Sequence, residues 1–300
     1  MTPLVSIVLS ARNAEVTLED ALRSILHQTS SDYEVIFAND GSTDRTLEIA
    51  KSYANDRWRI LNDGTSLGLP RRLNQCIELA KGRFIARMDA DDIMHPERLS
   101  RQVEVMLSDT SIDVMGTDAW IIDSNSRILW RMQSQEPSTD PRIVLERGVF
   151  IHPTVFGRTE WFRTNSYSER YPRAEDHELW VRTCAHSRFI VLHEPLLYHR
   201  FRDVTEVTET LASGATTDRM ILEYGARTGR KLEAYSSVLR RSCRRLLFLL
   251  GATLGPRKLK WWFKGLLARN VNFEKAQQDL AFAIKPHSHP TIEVLPDGDQ

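Results

Sequence analysis

The sequence predicts an α/β fold, in which a mostly parallel sheet is flanked by helices and followed by a C-terminal helical extension. In the first ninety residues, short apolar runs alternate with segments whose apolar residues recur at helical spacing, and this alternation is typical of a parallel sheet. Residues 1–210 carry 25 basic and 32 acidic side chains, whereas residues 211–300 carry 15 and 8. The change in charge predicts a domain boundary near residue 210.

The individual elements follow from the spacing of apolar residues. Four strands are predicted in the first third of the chain: Val5–Ser10, Tyr33–Asn39, Trp58–Asn62 and Arg83–Asp89. Each of the first three precedes a segment of helical periodicity. Later strand-like runs predict a hairpin and one further short strand: Asp113–Trp120, Arg127–Arg131 and His152–Phe156. Helices are predicted near the C-terminus at Glu206–Arg227, Tyr235–Leu250 and Pro256–Ala268.

Composition limits the class of protein. With 300 residues, 41% of them hydrophobic, the chain can bury one large core and carry an appendage. Its three cysteines are widely spaced and match no metal-binding pattern, which favours a reducing cytoplasmic environment. No uncharged run exceeds 11 residues, and no basic segment precedes an apolar one at the N-terminus. We therefore expect a soluble or peripheral protein without a signal peptide.

Three carboxylates follow the fourth predicted strand. Asp89 and Asp91 are separated by one residue, which in extended backbone directs both side chains to the same face. Ligands of open α/β sheets bind outside the carboxyl ends of the strands. Carboxylates held close together repel, and a divalent cation carrying phosphate oxygens would relieve that repulsion. The alternative is an acidic turn that caps the helix beginning near Pro96.

Two further acidic segments extend this pattern. Asp40 follows the second predicted strand and precedes a glycine, so it either forms an ordinary turn or faces the same crevice. Glu175 and Asp176 precede a helix, where they either stabilise its N-terminus or direct one carboxylate into the crevice. No glycine-rich phosphate loop follows any predicted strand, which argues against dinucleotide oxidoreductases and phosphate-loop nucleotidases.

Together these segments resemble the family 2 glycosyltransferases, which have the fold called GT-A. The resemblance covers some two thirds of the chain, from Val5 to about Phe201. It depends on the order and spacing of five segments: VSIVLSARNA, FANDGSTDRT, LGLPRRLNQCIELAKGRFIARMDADD, HPTV and AEDHELWVR. The resemblance implies an inverting, metal-dependent transferase of the GT-A type.

The resemblance also implies roles for individual residues. Asp40 is expected to contact the nucleotide base. Asp89 and Asp91 are expected to form the D-x-D motif, with Asp91 as the direct ligand of Mg²⁺ or Mn²⁺. Asp176 is expected to be the catalytic base, and Glu175 is its rival because the sequence does not show which acid faces the crevice.

Other positions either support or depart from the family pattern. Asn13 and Arg71 are further candidates for binding the donor. Relatives often carry a histidine where this chain has Arg202, so a third metal contact stays open, and His199 or Arg202 could instead meet the diphosphate. The Gln-x-x-Arg-Trp motif of processive members is absent, which favours transfer of a single sugar.

Three classes of function are compatible with these residues. The first is an inverting glycosyltransferase that uses a nucleotide sugar, typically UDP-linked, and a glycan or lipid-linked acceptor in cell-surface polysaccharide synthesis. A nucleotidyltransferase with metal-binding aspartates and a non-catalytic relative that binds nucleotide sugars are the alternatives. No nucleic-acid recognition motif is present.

The C-terminal region has a composition of its own. Between residues 240 and 273 there are nine basic residues and no acidic ones, interleaved with apolar residues that include Trp261, Trp262 and Phe263. Such a pattern is typical of helices at an anionic membrane surface, here the cytoplasmic face. The alternative is that the helices of residues 211–285 pack their apolar face on the catalytic domain. Residues 286–300 are expected to form a disordered tail.

Overall fold

The computed structural model describes residues 2–201, 205–253 and 273–286. Within these residues nine strands form one sheet. They are β1 Val5–Ala11, β2 Tyr33–Asn39, β3 Trp58–Leu61, β4 Phe84–Asp89, β5 Ile93–Met94, β6 Val114–Ile122, β7 Ile128–Met132, β8 Phe156–Arg158 and β9 Phe189–Arg200. The four strands predicted in the first third of the chain are confirmed, and so is the predicted hairpin, which is formed by β6 and β7.

Helices cover both faces of this sheet. The first seven are α1 Leu18–Leu26, α2 Thr46–Tyr53, α3 Leu69–Leu79, α4 Arg98–Ser108, α5 Pro141–Arg147, α6 Thr159–Thr164 and α7 Glu175–Thr183. Three more follow: α8 Thr205–Arg227, α9 Lys231–Thr253 and α10 Phe273–Ala283. Helices α8 and α9 lie where two C-terminal helices were predicted, whereas the predicted Pro256–Ala268 helix lies outside the described residues.

The strands run in the order β3-β2-β1-β4-β8-β6-β9-β5, with β7 paired to β6. Neighbours from β3 to β4 are parallel, as are β6 and β9, whereas the remaining pairs are antiparallel. The predicted α/β fold is therefore confirmed, with three of its parallel pairs in the N-terminal third and a fourth between β6 and β9. The antiparallel pairs all involve strands beyond β4.

One predicted strand is wrong. Residues His152–Thr154 form a short 3-10 helix, and the strand begins only at Phe156. Pro153 has no N–H group to give to a neighbouring strand, and the amide of Thr154 instead donates to the carbonyl of Ile151 at 2.8 Å. His152 therefore lies in a turn and not in a strand of the sheet.

Strand β1 is central because both of its faces are buried. Ile7 and Leu9 pack in one core with Leu22 of α1, whereas Val8 points the other way and packs with Leu73 of α3. A parallel strand covered by helices on both sides needs a continuous apolar run rather than an alternating one. This requirement explains the VSIVL sequence with which the strand begins.

The pairing of β1 with β2 and β4 determines where two of the predicted site residues, Asp40 and Asp89, lie. Ser10 is paired with Asp89 of β4, and Ala11 is paired with Asn39 of β2. The amide of Asp40 then donates to the carbonyl of Ala11 at 2.8 Å. Asp40 and Asp89 therefore lie on either side of the carboxyl end of β1, with the β1 strand between them.

Helix α10 packs on the far edge of the sheet. Leu280 is fully buried in a cluster that includes Ile93 of β5 and Tyr198 of β9. The hydroxyl of Tyr198 donates to the carbonyl of Ala276 at 2.9 Å, and His95 Nε2 lies 3.2 Å from a carboxylate oxygen of Asp279. Residues far beyond position 210 therefore contact the same sheet that carries the acidic residues.

Leu280→Ala is expected to lower the free energy of unfolding by about 2 to 5 kcal/mol, because it removes fully buried methyl groups and leaves a cavity. Gln278→Ala, on the exposed face of the same helix, is the matched control and should change stability by less than about 0.5 kcal/mol. Urea unfolding followed by tryptophan fluorescence measures both. Equal unfolding midpoints for the two variants would show that α10 does not stabilise the sheet.

Candidate functional site

Three carboxylates meet at the end of β4. The strand ends at Asp89, and a turn at Ala90 and Asp91 leads to Asp92 and the short strand β5. Oxygen atoms from all three aspartates lie within 4.8 Å of one another. The expectation that Asp89 and Asp91 share one extended segment is wrong, because the strand stops at Asp89. The turn nevertheless brings the carboxylates together, and it adds Asp92.

Asp92 was not among the residues predicted to act at the site. It is fully buried, its two oxygens each lie 3.0 Å from Nδ1 of His199, and the amide of Arg200 donates to it at 3.0 Å. Burial opposes the charge of Asp92, but His199 and the Arg200 amide lower its pKa. In turn, although burial acts against the imidazolium, Asp92 raises the pKa of His199 to about 9. Arg202 lies outside the described residues.

A buried arginine adjoins the same carboxylates. The Arg87 guanidinium Nη1 lies 2.5 Å from Oδ2 of Asp89. Burial raises the pKa of Asp89, and the charge of Arg87 acts in the opposite direction. The Nε–H of Arg87 is also buried, and it has no hydrogen-bond acceptor among the described residues. Arg87 therefore carries its charge in the interior, with Asp89 as its ion-pair partner.

A second polar cluster lies at the start of α7. Atoms of His152, Glu175 and Asp176 that could bind a metal lie within 4.8 Å of one another. Burial and the charge of Arg87 hold the pKa of His152 well below its usual value, so the imidazole is neutral. Its Nε2 lies 3.1 Å from the hydroxyl of Tyr167. The two candidates for the base, Glu175 and Asp176, thus lie close together in space.

The two acids differ in their surroundings. Glu175 is only 3% exposed, and its Oε2 has no hydrogen-bond partner among the residues described. Burial and the neighbouring charge of Asp176 raise the pKa of Glu175 to about 7. Asp176 is half-buried and lines an open cleft beside α7. Of the two, Asp176 is the carboxylate that a second molecule can reach.

Arg87 interacts electrostatically with residues of both clusters. It forms the ion pair with Asp89. After burial, its charge is the second cause of the lowered pKa of His152, and it partly opposes the rise in the pKa of Glu175. Charges interact over several ångströms in the interior, where screening by water is weak. The acids at the end of β4 and those at the start of α7 therefore share one electrostatic environment.

Asp40 is held by the loop that precedes α3. Its carboxylate accepts hydrogen bonds from the amide of Leu67 at 2.6 Å, the amide of Gly68 at 3.2 Å and the hydroxyl of Ser66 at 3.0 Å. The fully buried side chain of Arg72 donates to it at 3.0 Å. Burial raises the pKa of Asp40, but these hydrogen bonds outweigh it and the net pKa is lowered.

The other two predicted donor contacts differ from each other. Asn13 adopts a left-handed conformation with φ of 51°, and its side-chain oxygen accepts a hydrogen bond from the amide of Thr43 at 2.9 Å. Asn13 thereby joins the end of β1 to the loop after β2. Arg71 is exposed at the start of α3, next to Arg72, which instead pairs with Asp40 and Asp63.

Glu175→Gln is expected to flatten the dependence of stability on pH. The pKa of Glu175 is raised from 4.5 to about 7 in the folded chain, so the stability that its neutral form confers is complete below about pH 4.5 and lost as pH rises through 7. The loss is on the order of 3 kcal/mol. Glutamine stays neutral, and the variant should therefore gain stability relative to the wild type as pH rises.

Urea unfolding between about pH 4 and pH 8 measures this difference. Glu178→Gln is the matched control, because Glu178 lies on the same helix but is half-buried and paired with Arg182. Parallel stability profiles for the wild type and Glu175→Gln would contradict the prediction.

Comparison with known proteins identifies the fold and the family. Two solved structures resemble this chain at TM-scores of 0.56 and 0.53. The first is TarS 1–349 of S. aureus in complex with UDP-GlcNAc, with 20% identity, covering 79% of this chain and 72% of TarS 1–349. The second is the mannosyltransferase PcManGT of Pyrobaculum calidifontis in complex with GDP-Man and Mn²⁺, with 14% identity, covering 94% of this chain and 86% of the other. The fold is therefore of the GT-A type, as predicted.

Sequence relatives have higher identity. EpsE of Bacillus subtilis strain 168 is 36% identical over 191 residues, which are 60% of this chain and 66% of EpsE. The Escherichia coli UDP-Glc:alpha-D-GlcNAc-diphosphoundecaprenol beta-1,3-glucosyltransferase WfgD is 30% identical over 178 residues, 59% of this chain and 68% of WfgD. The model of glycosyl transferase family 2 matches residues 6–170, a segment that holds both aspartates of the D-x-D motif. This protein therefore belongs to glycosyl transferase family 2.

Proposed function

We propose that the enzyme transfers one sugar from a nucleoside diphosphate donor to a hydroxyl group of a glycan or lipid-linked acceptor, with inversion at the anomeric carbon. One observation carries the proposal. Arg87 is ion-paired with Asp89 at the end of β4 and also acts electrostatically on Glu175 at the start of α7, so both groups of acids lie near one buried cation. The first group suits the donor diphosphate with its metal, and the second suits the acceptor hydroxyl.

The three aspartates fit a divalent cation. Carboxylate oxygens are the ligands that Mg²⁺ and Mn²⁺ prefer, and oxygens of Asp89, Asp91 and Asp92 lie within 4.8 Å of one another. We assign Asp91 as the direct ligand and Asp89 as the second, while His199 and the Arg200 amide hold Asp92 in place. Bound there, the cation would stabilise the negative charge that the diphosphate gains as it leaves.

The donor base is assigned to the opposite side of β1. Asp40, Asn13 and the exposed Arg71 lie around the loops that follow β2 and precede α3. Asp40 accepts several hydrogen bonds from the protein. An N–H group of the nucleotide base would replace the bond from the Ser66 hydroxyl with least rearrangement of the protein. TarS 1–349 binds UDP-GlcNAc and WfgD is named for UDP-Glc, which supports a UDP-linked donor.

Asp176 is assigned as the catalytic base. It is half-buried, it lines the cleft beside α7, and it lies close to the buried Glu175 and the half-buried His152. In this position it would accept the proton of the acceptor hydroxyl while the hydroxyl oxygen attacks the sugar. Attack from the side opposite the leaving diphosphate inverts the anomeric centre, and no covalent enzyme intermediate is required.

A donor-hydrolysis screen tests this function. The enzyme is incubated with individual nucleotide sugars and Mn²⁺, with or without a chelator, and the products are separated. We expect release of the nucleoside diphosphate from one donor, and loss of that release with the chelator. Release of pyrophosphate would instead indicate a nucleotidyltransferase, and binding without turnover for every donor and acceptor would indicate a non-catalytic relative.

We further propose that the enzyme works on the inner face of a membrane. Helix α9 exposes four apolar side chains on one face, spaced three, four and seven residues apart: Leu232, Tyr235, Leu239 and Leu246. The second half of α9 is also the first part of residues 240–273, a stretch that has nine cations and no acid. None of the described helices is long and apolar enough to cross a bilayer. An apolar face beside a segment rich in cations suits the surface of an anionic bilayer.

Co-sedimentation with liposomes tests the membrane proposal. The double variant Tyr235→Ser/Leu239→Ser should lose most binding to anionic liposomes, because both side chains are exposed on the apolar face. Leu107→Ser, at an exposed apolar position on α4, should bind as the wild type does. Salt should weaken binding, since exposed charges are screened within about 8 Å at physiological ionic strength. Equal binding of the wild type to neutral and anionic liposomes would exclude electrostatic docking.

A further inference from the structure

A polar cleft of about 270 Å³ adjoins the proposed base. It lies among the C-terminal end of α5, the start of α7 and helices α8 and α9. Its lining includes Arg147, Phe150, Arg173, Asp176, Thr217 and Arg241. Asp176 belongs both to this cleft and to the cluster with His152 and Glu175. A molecule bound in the cleft therefore reaches the carboxylate that would accept its proton.

The positive charge of the arginines that line the cleft exceeds the negative charge of its acids. Glu146 is paired with Arg240, and Asp218 is shared between Arg241 and Arg245.

By contrast, Arg147 and Arg173 are exposed and form no ion pair with any other residue in the described part of the chain. The one other acid of the cleft is Asp176, which the proposed reaction uses. Two uncompensated guanidinium groups therefore lie beside the base.

Arg173 has an unusual backbone conformation. It has φ of 69°, a left-handed conformation that residues other than glycine rarely adopt, and it lies three positions before Asp176 at the entry to α7. Such conformations persist where the surrounding structure enforces them, and they occur preferentially at functional sites.

We propose that this cleft binds a phosphate or diphosphate group carried by the acceptor, with Arg147 and Arg173 as its ligands. The inference rests on the proposed function, because it assigns the acceptor side of the same site. Guanidinium groups bind phosphate oxygens through paired hydrogen bonds. An acceptor anchored by its phosphate would present a nearby hydroxyl to Asp176. The acceptor is thus a phosphorylated glycan, either a sugar on a lipid diphosphate or a polyol phosphate chain.

Binding of inorganic pyrophosphate tests the anion site directly. Isothermal titration is carried out with a chelator, so that no metal at the aspartates after β4 captures the probe. Arg147→Gln/Arg173→Gln should weaken binding at least about tenfold, because two charged hydrogen-bonding partners are lost. Arg227→Gln, an exposed arginine on α8 outside the cleft, should bind as the wild type does.

A second variant separates loss of charge from loss of structure. Arg147→Lys/Arg173→Lys retains both charges and should keep more affinity than the glutamine pair, while thermal unfolding should be similar for both variants. Absence of pyrophosphate binding to the wild type, or equal binding to the wild type and the glutamine pair, would overturn the anion site. Neither result depends on transferase activity, which the donor-hydrolysis screen tests separately.

Acceptor competition then distinguishes the two sources of phosphate. Transfer is measured to an alkyl diphosphate-linked N-acetylglucosamine, to a polyol phosphate oligomer and to a neutral alkyl N-acetylglucosaminide. We expect one phosphorylated acceptor to exceed the neutral one at least about tenfold in kcat/KM, and the glutamine pair to lose that advantage. Equal use of the neutral and phosphorylated acceptors would overturn the proposal.

Discussion

Asp176→Asn is expected to lower the rate of sugar transfer by about 10²- to 10⁴-fold, as is typical for loss of a general base. The substitution keeps the size of the side chain and removes its ability to accept a proton. Because Asp176 lies on α7 and not beside the aspartates of β4, donor binding should persist. Transfer is measured with a radiolabelled donor, and donor affinity by titration with the unlabelled nucleotide sugar.

Glu175→Gln provides the comparison that identifies the base. Glu175 is buried and has a pKa of about 7, whereas Asp176 lines the cleft, so we expect the smaller loss of transfer from Glu175→Gln. Normal transfer by Asp176→Asn together with inactive Glu175→Gln would show that Glu175 is the base. Full activity in both variants would remove α7 from the mechanism.

Asp91→Asn is expected to abolish most metal-dependent donor binding, by at least about 100-fold, since the metal supplies several kcal/mol of charge stabilisation. The side chain is half-buried at the turn after β4, where an amide of equal size should preserve the fold. Titration of the nucleotide sugar with and without Mn²⁺ measures the effect. Undiminished donor affinity in the presence of a chelator would contradict the assignment.

Asp113→Asn is the matched control for this experiment. Asp113 is a half-buried aspartate next to β6, where it accepts a hydrogen bond from the amide of Arg188, and it lies outside the acidic cluster. It should bind donor and metal as the wild type does. A similar loss in both variants would indicate a general effect of removing a carboxylate rather than loss of a metal ligand.

Much of the fold could be predicted because the N-terminal strands are buried on both faces. When a continuous apolar run such as that of β1 is followed by apolar residues at helical spacing, few interpretations remain other than a buried strand and a helix. The HPTV segment was less predictable, since Pro153 ends a strand-like run with a turn. The antiparallel pairing of β8 with β4 depends on residues about 70 positions apart, and no local pattern reports such a contact.

The candidate site was predictable in part for the same reason. Asp89, Asp91 and Asp176 follow from motifs that are local in the chain. Asp92 and His199 are 107 positions apart. The residue type found at one of these positions does not predict the residue type at the other. The hydrogen bonds that Asp40 accepts from the loop at Ser66–Gly68 were also not predictable, because a carboxylate followed by glycine is equally suited to an ordinary turn.

The contacts between α10 and the sheet can form only late in synthesis of the chain. His27 lies 256 positions before Ala283, whose carbonyl its ring contacts, and His95 lies 184 positions before Asp279. A ribosome releases the N-terminal sheet long before residue 283 leaves the exit tunnel. Until then the apolar surface of Ile93 and Tyr198 lacks its cover. Contacts at such separations slow folding and lengthen the exposure of apolar surface, so the edge beside the acidic residues is the last part of the sheet to be covered.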